Sequence, residues 1–238
     1  MIDEIMRNLS EKYSLGLDDV AFYRFSTYYE RLSKANEKTN LTRIEGEENT
    51  AHMHFLDSLS PLFLFSLERG ARCLDIGAGA GFPSVPLAIA RPDLSINLID
   101  AVGKKVAFLK SLSDIAANIT PLHARAEELA RKAEFRESFD FVFARAVASL
   151  DILCEYALPF VKPGGAFIAW KGPAASQELA AAKKAIDALG GGINPQMFEY
   201  ELMDGMYERR LLVIQKIRQT PPNFPRNPKT IRNKPIGS

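Results

Sequence analysis

Long apolar runs are missing from this chain. None of its 238 residues belongs to a stretch approaching the ~20 consecutive apolar residues needed to cross a bilayer. Cysteine is scarce too. Cys73 and Cys154 are too few for a disulfide framework, and both stand in apolar surroundings that suit reduced packing residues. The N-terminus, Met1-Ile2-Asp3-Glu4, lacks the basic start and apolar core of a secretory signal. These absences make the cytoplasm the expected compartment and a membrane an unexpected partner. On that view Asn40-Leu41-Thr42 and Asn118-Ile119-Thr120 match the glycosylation acceptor by accident. No His/Cys/carboxylate group has convincing metal spacing; His52 and His54, two apart, would face different sides of a helix, so no metal is expected. A Gly-x-Ser-x-Gly elbow and a Walker A loop are absent as well, which removes two common routes to hydrolysis and nucleotide turnover.

What is present is ordinary in bulk and uneven in detail. Hydrophobic content of 47% and charged content of 25% suit a globular protein, and the length suits one large domain or a domain with an appendage. The net charge of +1 hides an asymmetry. Six of the 30 basic side chains fall in residues 215–238, at Lys216, Arg218, Arg226, Lys229, Arg232 and Lys234, and none of the 29 acidic ones does. A slightly acidic body therefore ends in a basic tail. Such tails are often plain solvated ends, and they are also a usual device for holding a polyanion.

Residues 2–14 and 18–37 read as amphipathic helices. In the second, Val20, Phe22, Phe25, Tyr28, Tyr29 and Leu32 recur near helical spacing, which predicts core packing, and Asp18 is placed to cap it. A polar loop over 36–49 precedes a helical stretch near 48–67, which Pro61 is expected to kink or divide. Strand and helix then alternate. Strands are expected near 72–76, 95–100, 119–124, 139–145 and 164–170, with helices near 83–91, 103–117, 126–132, 149–160 and 174–189. Five such units imply a parallel sheet with right-handed crossovers. Two last strands, near 194–203 and 208–217, have only a short turn between them and should form an antiparallel hairpin. The Pro/Asn-rich tail after about residue 219 reads as locally unstructured. The expected organisation is a helical extension over 1–68, an α/β domain over 69–218 and the basic tail over 219–238.

The most informative stretch is Leu-Asp-Ile-Gly-Ala-Gly-Ala-Gly-Phe-Pro over 74–83. It reads as an apolar strand that ends in an acid, Asp75, and a turn built on Gly77, Gly79 and Gly81. Alternating glycines remove side chains where a small ligand must lie against backbone. Twenty-three residues after Gly77, the run Ser95 to Asp100 also ends in an acid, placed to accept hydrogen bonds from a ribose diol. The pair describes a nucleoside-containing cofactor at the carboxyl ends of parallel strands. The spacing is not the dinucleotide Gly-x-Gly-x-x-Gly, because the third glycine comes one residue early and Phe82 takes its place. Acid-x-Gly-x-Gly-x-Gly resembles motif I of the S-adenosylmethionine-dependent methyltransferases. A ligand-free turn and a nicotinamide enzyme are the alternatives.

Other strand ends lead toward the same edge. The third runs into His123-Ala124-Arg125-Ala126-Glu127-Glu128, where such folds often hold an adenine by backbone groups and an acid. The fourth, Phe139 to Ala144, ends at Arg145, and the fifth ends at Trp170-Lys171-Gly172. Two cations there suggest an anionic or carbonyl-bearing substrate; a structural ion pair is the plainer explanation of either. The Asn/Asp-Pro-Pro-aromatic signature of exocyclic amine methylation is absent after the fourth strand. Neither cysteine is placed as the nucleophile that pyrimidine C5 methylation requires.

The ordered set of segments resembles the bacterial 16S ribosomal RNA guanine-N7 methyltransferase family, also called the glucose-inhibited division protein B family. The segments are Thr39 to Thr42, His54 to Leu59, Asp75 to Pro83, Leu98 to Asp100, Arg125 to Glu128, Ala144 to Ala146, Lys162 to Gly165 and Lys171-Gly172. The resemblance implies a Rossmann-like, seven-stranded α/β fold with an N-terminal helical extension, S-adenosylmethionine as cofactor, and 16S RNA or the small subunit as partner. It implies that Gly77, Phe82, Ala126, Glu127 and Arg145 contact the cofactor, beside Asp75, Gly79 and Asp100. It assigns Asn40, His54, Asp57, Arg125 and Lys171 to RNA or the active site, with Arg145 and Lys171 as the catalytic pair. A non-catalytic RNA-binding assembly factor and a small-molecule methyltransferase are the rival readings.

Overall fold

A computed structural model describes residues 1–237. Seven strands hydrogen-bond in the order β3-β2-β1-β4-β5-β7-β6: β1 (Arg72–Ile76), β2 (Ser95–Asp100), β3 (Ile119–His123), β4 (Phe139–Arg145), β5 (Val161–Lys171), β6 (Gln196–Leu202) and β7 (Tyr207–Gln215). The chain is an α/β protein of the Rossmann-like kind. By contacts it divides into two compact units. One comprises residues 1–71 with 78–123, the other residues 72–77 with 124–238.

In the first unit, α1 (Ile2–Lys12) lies against α2 (Asp19–Thr39), whose start is capped by Asp18 accepting from the Ala21 amide at 2.8 Å. The expected helix over 48–67 is broken into α3 (Glu47–Thr50), a π-helical turn (Ala51–Leu56) and α4 (Pro61–Leu64). Pro61 begins α4, where its missing N–H costs nothing. After the glycine turn come α5 (Ser84–Ala90), β2, α6 (Gly103–Lys110) and β3, with β2 and β3 paired in parallel. The sequence reading ran the helix after β2 on to residue 117; it ends at 110 and passes into turns.

In the second unit β4 pairs in parallel with β1 on one side and β5 on the other. Its helices are α7 (Ala126–Leu129), α8 (Leu150–Ala157), a 3-10 turn (Leu158–Phe160), α9 (Ala175–Ala188) and α10 (Pro228–Asn233). The last two strands form the expected hairpin, and β7 pairs antiparallel with β5. Cys73 and Cys154 are buried and reduced, and burial raises the Cys154 thiol far above its ordinary range.

The tail departs from the sequence reading. It is packed, not unstructured. Arg136 donates to the carbonyls of Thr220 (2.9 Å) and Phe224 (2.8 Å), Ile231 is fully buried, and Asn227 caps α10 by accepting from the Thr230 amide at 2.9 Å. Lys216 is buried with its ammonium on Leu158 O (2.6 Å), Thr220 Oγ1 (2.5 Å) and Glu137 Oε1 (3.2 Å). Composition reported the missing local period correctly; Leu158 and Arg136, which help to order the segment, lie 58 to 88 residues from the groups they meet.

Candidate functional site

In the first unit the glycine turn is moored through several of its backbone groups. The Ala78 amide donates to Ile99 O at 3.1 Å, the Gly79 amide to Asp100 Oδ2 at 3.0 Å, and the Gly81 amide to Ala78 O at 2.7 Å. Ala80 O accepts from the Tyr28 hydroxyl at 2.6 Å. Gly79 and Gly81 have φ of +60° and +107°, the region that favours glycine. A Cβ on Gly81 would lie 2.7 Å from both Tyr28 Oη and Val85 Cγ2. Asp100 is buried at the end of β2, and its other oxygen accepts from the Val102 amide at 2.8 Å. A carboxylate has about four lone-pair sites, so these two bonds leave acceptor capacity for a diol.

Phe82 closes the turn inside an aromatic cluster. Its ring stacks on His54 at 4.1 Å and 8°, with Tyr28 at 5.4 Å and Phe55 at 6.1 Å. His54 is buried, and its Nε2 shares a 2.7 Å hydrogen bond with Thr42 Oγ1. Of the two roles that the sequence offered it, RNA contact or the active site, its burial against Phe82 agrees better with the second. Asp57 is buried as well. Asn40 is exposed and ends α2 in the left-handed region (φ 46°, ψ 52°). It borders a cleft of about 770 Å³, with Asn36, Thr42, Arg43 and Glu45 among the lining residues. Thr42 thus touches both the cleft and His54.

In the second unit three strand ends finish together. Asp75 is opposite Phe143 in the β1–β4 register, and Arg145 is opposite Trp170 in the β4–β5 register. The chain order reverses between β1 and β4, the place where open α/β sheets bind ligands. Asp75 is fully buried there. Gly77 has φ +68°, and a Cβ on it would lie 2.9 Å from Val147 Cγ2 in the loop after Arg145. Arg145 is half-buried at the end of β4. Arg125 precedes α7 and is exposed, with Nη1 3.9 Å from Glu127 Oε1; Ala126 and Glu127 are buried in the first turn.

Lys171 is committed locally. Its ammonium donates to Glu178 Oε2 at 2.7 Å and to Ala148 O at 2.8 Å, and the same Glu178 oxygen accepts from the Leu150 amide at 2.9 Å. It pins the loop after β4 to α9. Of the two roles that the sequence left open for it, a substrate cation or a structural ion pair, the structure shows the pair with Glu178.

Tyr28, which the sequence places among the core aromatics, is tied by its hydroxyl to the glycine turn. The signal was a tyrosine on an otherwise apolar buried face, because a buried hydroxyl needs a partner. Among the described residues no group of His, Cys, Asp and Glu has metal-binding geometry. No helix among them is long and apolar enough to cross a membrane.

A family model described as rRNA small subunit methyltransferase G matches residues 22–197. A Lactobacillus johnsonii protein named ribosomal RNA small subunit methyltransferase G is 43% identical over 240 residues, covering 99% of this chain and 100% of that protein. One of the same name from Geobacillus sp. is 43% identical over 228 residues, 95% of each. Among solved structures, a Corynebacterium glutamicum protein aligns over 91% of this chain and 97% of its own, with a TM-score of 0.53 and 16% identity. A 16S rRNA (adenine(1408)-N(1))-methyltransferase from Catenulisporales acidiphilia aligns over 70% and 91%, at 0.51 and 13%. At those identities the structural likeness bears on the fold.

Proposed function

The chain belongs to the rRNA small subunit methyltransferase G family, and from that premise we propose that it transfers a methyl group from S-adenosylmethionine to N7 of one guanine in 16S ribosomal RNA. The observation that carries the reading is the moored glycine turn, with the buried Asp100 accepting from Gly79 and retaining acceptor capacity, inside the stretch that the family model spans. Those residues fit the cofactor. Gly77, Gly79 and Phe82 would present backbone and an aromatic face, Asp100 would take the ribose hydroxyls, and Ala126 with Glu127 would hold the adenine. Asp75 would set the end of β1. The cofactor, when bound, supplies an electron-poor methyl group on a sulfonium.

Guanine N7 has an in-plane lone pair and no proton, so no general base is required of the chain. A site with a cation and glycines but no acid/base dyad agrees with that. The protein's work is alignment. Arg145 donates to guanine O6 or a flanking phosphate, and stays off N7 because that ring becomes cationic. Lys171 acts as a positioning residue: it holds Ala148 and Glu178, and so sets the loop that follows Arg145.

The test is chemical. Incubation with labelled S-adenosylmethionine and small-subunit RNA is expected to yield 7-methylguanosine by nucleoside mass spectrometry, and one new guanine sensitive to borohydride and aniline. Gly79→Asp should abolish both, since it sets a carboxylate beside Asp100 at a residue with φ +60°. Incorporation without 7-methylguanosine overturns the N7 assignment and leaves methyl transfer standing.

A further inference from the structure

The six basic residues of the tail are not equivalent in the fold. Lys216 is buried against Glu137, and Arg218 pairs with Asp187 at 2.8 Å. Arg226 forks onto the buried Glu155, Nη2 to Oε2 at 2.7 Å and Nε to Oε1 at 2.9 Å, while its own amide donates to Oε1 at 2.7 Å. Lys229, Arg232 and Lys234 differ. They are exposed on α10 or just after it, and among the described residues they make no ion pair.

The helix that carries them is held from several sides. Ile231 is its buried anchor, Asn227 caps it, Arg226 ties its approach to α8, and Arg131 donates to the carbonyl of Pro225. Its cations are therefore presented on a fixed platform, which reduces the ordering entropy lost on binding. α10 and α7 both pack on α8, and Arg131, just past α7, reaches the residue before Arg226. Tyr156 on α8 lies within the fields of Glu127, Arg232, Glu155 and Arg125 together. Burial, then Glu127, raise its phenol, and Arg232 and Arg125 oppose them. The acids there are spoken for: Glu155 by Arg226, and Glu127 buried beside Arg125; Glu128 is exposed.

We propose that Lys229, Arg232 and Lys234, continued by Arg125, form a preformed phosphate-binding tract for the RNA strand that flanks the target base. The inference rests on the RNA methyltransferase reading and deepens it. Phosphate is the fitting chemistry because residues 215–238 hold no carboxylate and the exposed positions of α10 are basic or amide-bearing. A lipid surface would call for an outward apolar face, whereas Ile231 points inward.

The full-length chain with Lys229→Gln, Arg232→Gln and Lys234→Gln tests this against an Arg218→Gln control. Binding of a small-subunit RNA fragment is measured across salt concentrations, with cofactor affinity by calorimetry alongside. The triple variant should bind RNA more weakly, with the log–log salt slope flattened by ~2, at ~0.7 per lost single-strand contact. Its KM for RNA should rise while turnover at saturating RNA, cofactor affinity and melting temperature hold. Arg218→Gln should leave the slope alone. A triple variant whose slope matches the wild type, while the wild type still methylates RNA, overturns the tract only. A wild-type protein that binds cofactor yet neither binds nor methylates small-subunit RNA overturns the tract and the reading beneath it.

Discussion

Three buried positions have consequences that a single substitution can read out. Gly81→Ala places a methyl against Tyr28 and Val85 at a residue with φ +107°, and should cost roughly 2–4 kcal/mol in chemical denaturation. Tyr28→Phe removes the donor to Ala80 O and should cost about 1–3 kcal/mol while loosening cofactor binding, since that carbonyl sits inside the glycine turn. If calorimetry finds cofactor affinity unchanged in Tyr28→Phe, the turn does not depend on α2. Lys216 gives a pH signature. Burial pushes its pKa down from 10.5 to about 8, with Glu137 opposing. The unfolded chain therefore holds the proton more tightly, and between about pH 8 and 10.5 it binds more protons than the folded one. Stability contributed by this group must rise with pH across that window. Wild type should gain on Lys216→Met from pH 8 to 10; parallel stability curves would dismiss the buried lysine as the source.

Between elements, the decisive contact is Lys171 with Glu178. Both the sequence role and the structural role predict a defect in Lys171→Met, so the single variant decides little. A double-mutant cycle does. If the pair is a brace, Lys171→Met should lower stability by roughly 3 kcal/mol, by leaving a partly buried carboxylate uncompensated. Lys171→Met with Glu178→Leu should then recover much of it. A folded, undiminished Lys171→Met that has lost turnover would instead return the lysine to the substrate. This distinction was beyond the sequence, because Glu178 lies on the helix after β5 and nothing local marks it as the partner. The π-helical turn over Ala51–Leu56 escaped for a related reason: a pattern read at 3.6 residues per turn cannot show a widened turn.

For the whole molecule, the tail is a structural member as well as a charged one. Truncation after residue 218 removes Arg226 from Glu155, Thr220 from Lys216 and Glu137, and the carbonyls that Arg136 uses. The truncated chain should melt well below the full-length protein, with Arg226→Met reproducing part of the loss at ~3 kcal/mol or more. Equal melting temperatures would mean that the packed tail contributes nothing to the fold. For this reason the RNA tract is tested by neutralising exposed side chains and not by deletion.

The succession of strands and helices, the closing hairpin, the glycine turn and the acid at the end of β2 were legible in the sequence because they depend on local period and on backbone freedom, which residue types report directly; the order of the strands within the sheet was not. Asp75, Gly77, Gly79 and Asp100 could be named from spacing on those grounds. Partnership was left to the tertiary structure. His54 became a brace for Phe82, Tyr28 the donor to Ala80, Lys171 an ion pair, and Arg226 the cover of a buried glutamate, because each was decided by a group on another element that no local pattern marks. A charge or a hydroxyl announces only that it needs a partner; the fold selects which one it finds, and so which of its cations remain exposed to meet a phosphate.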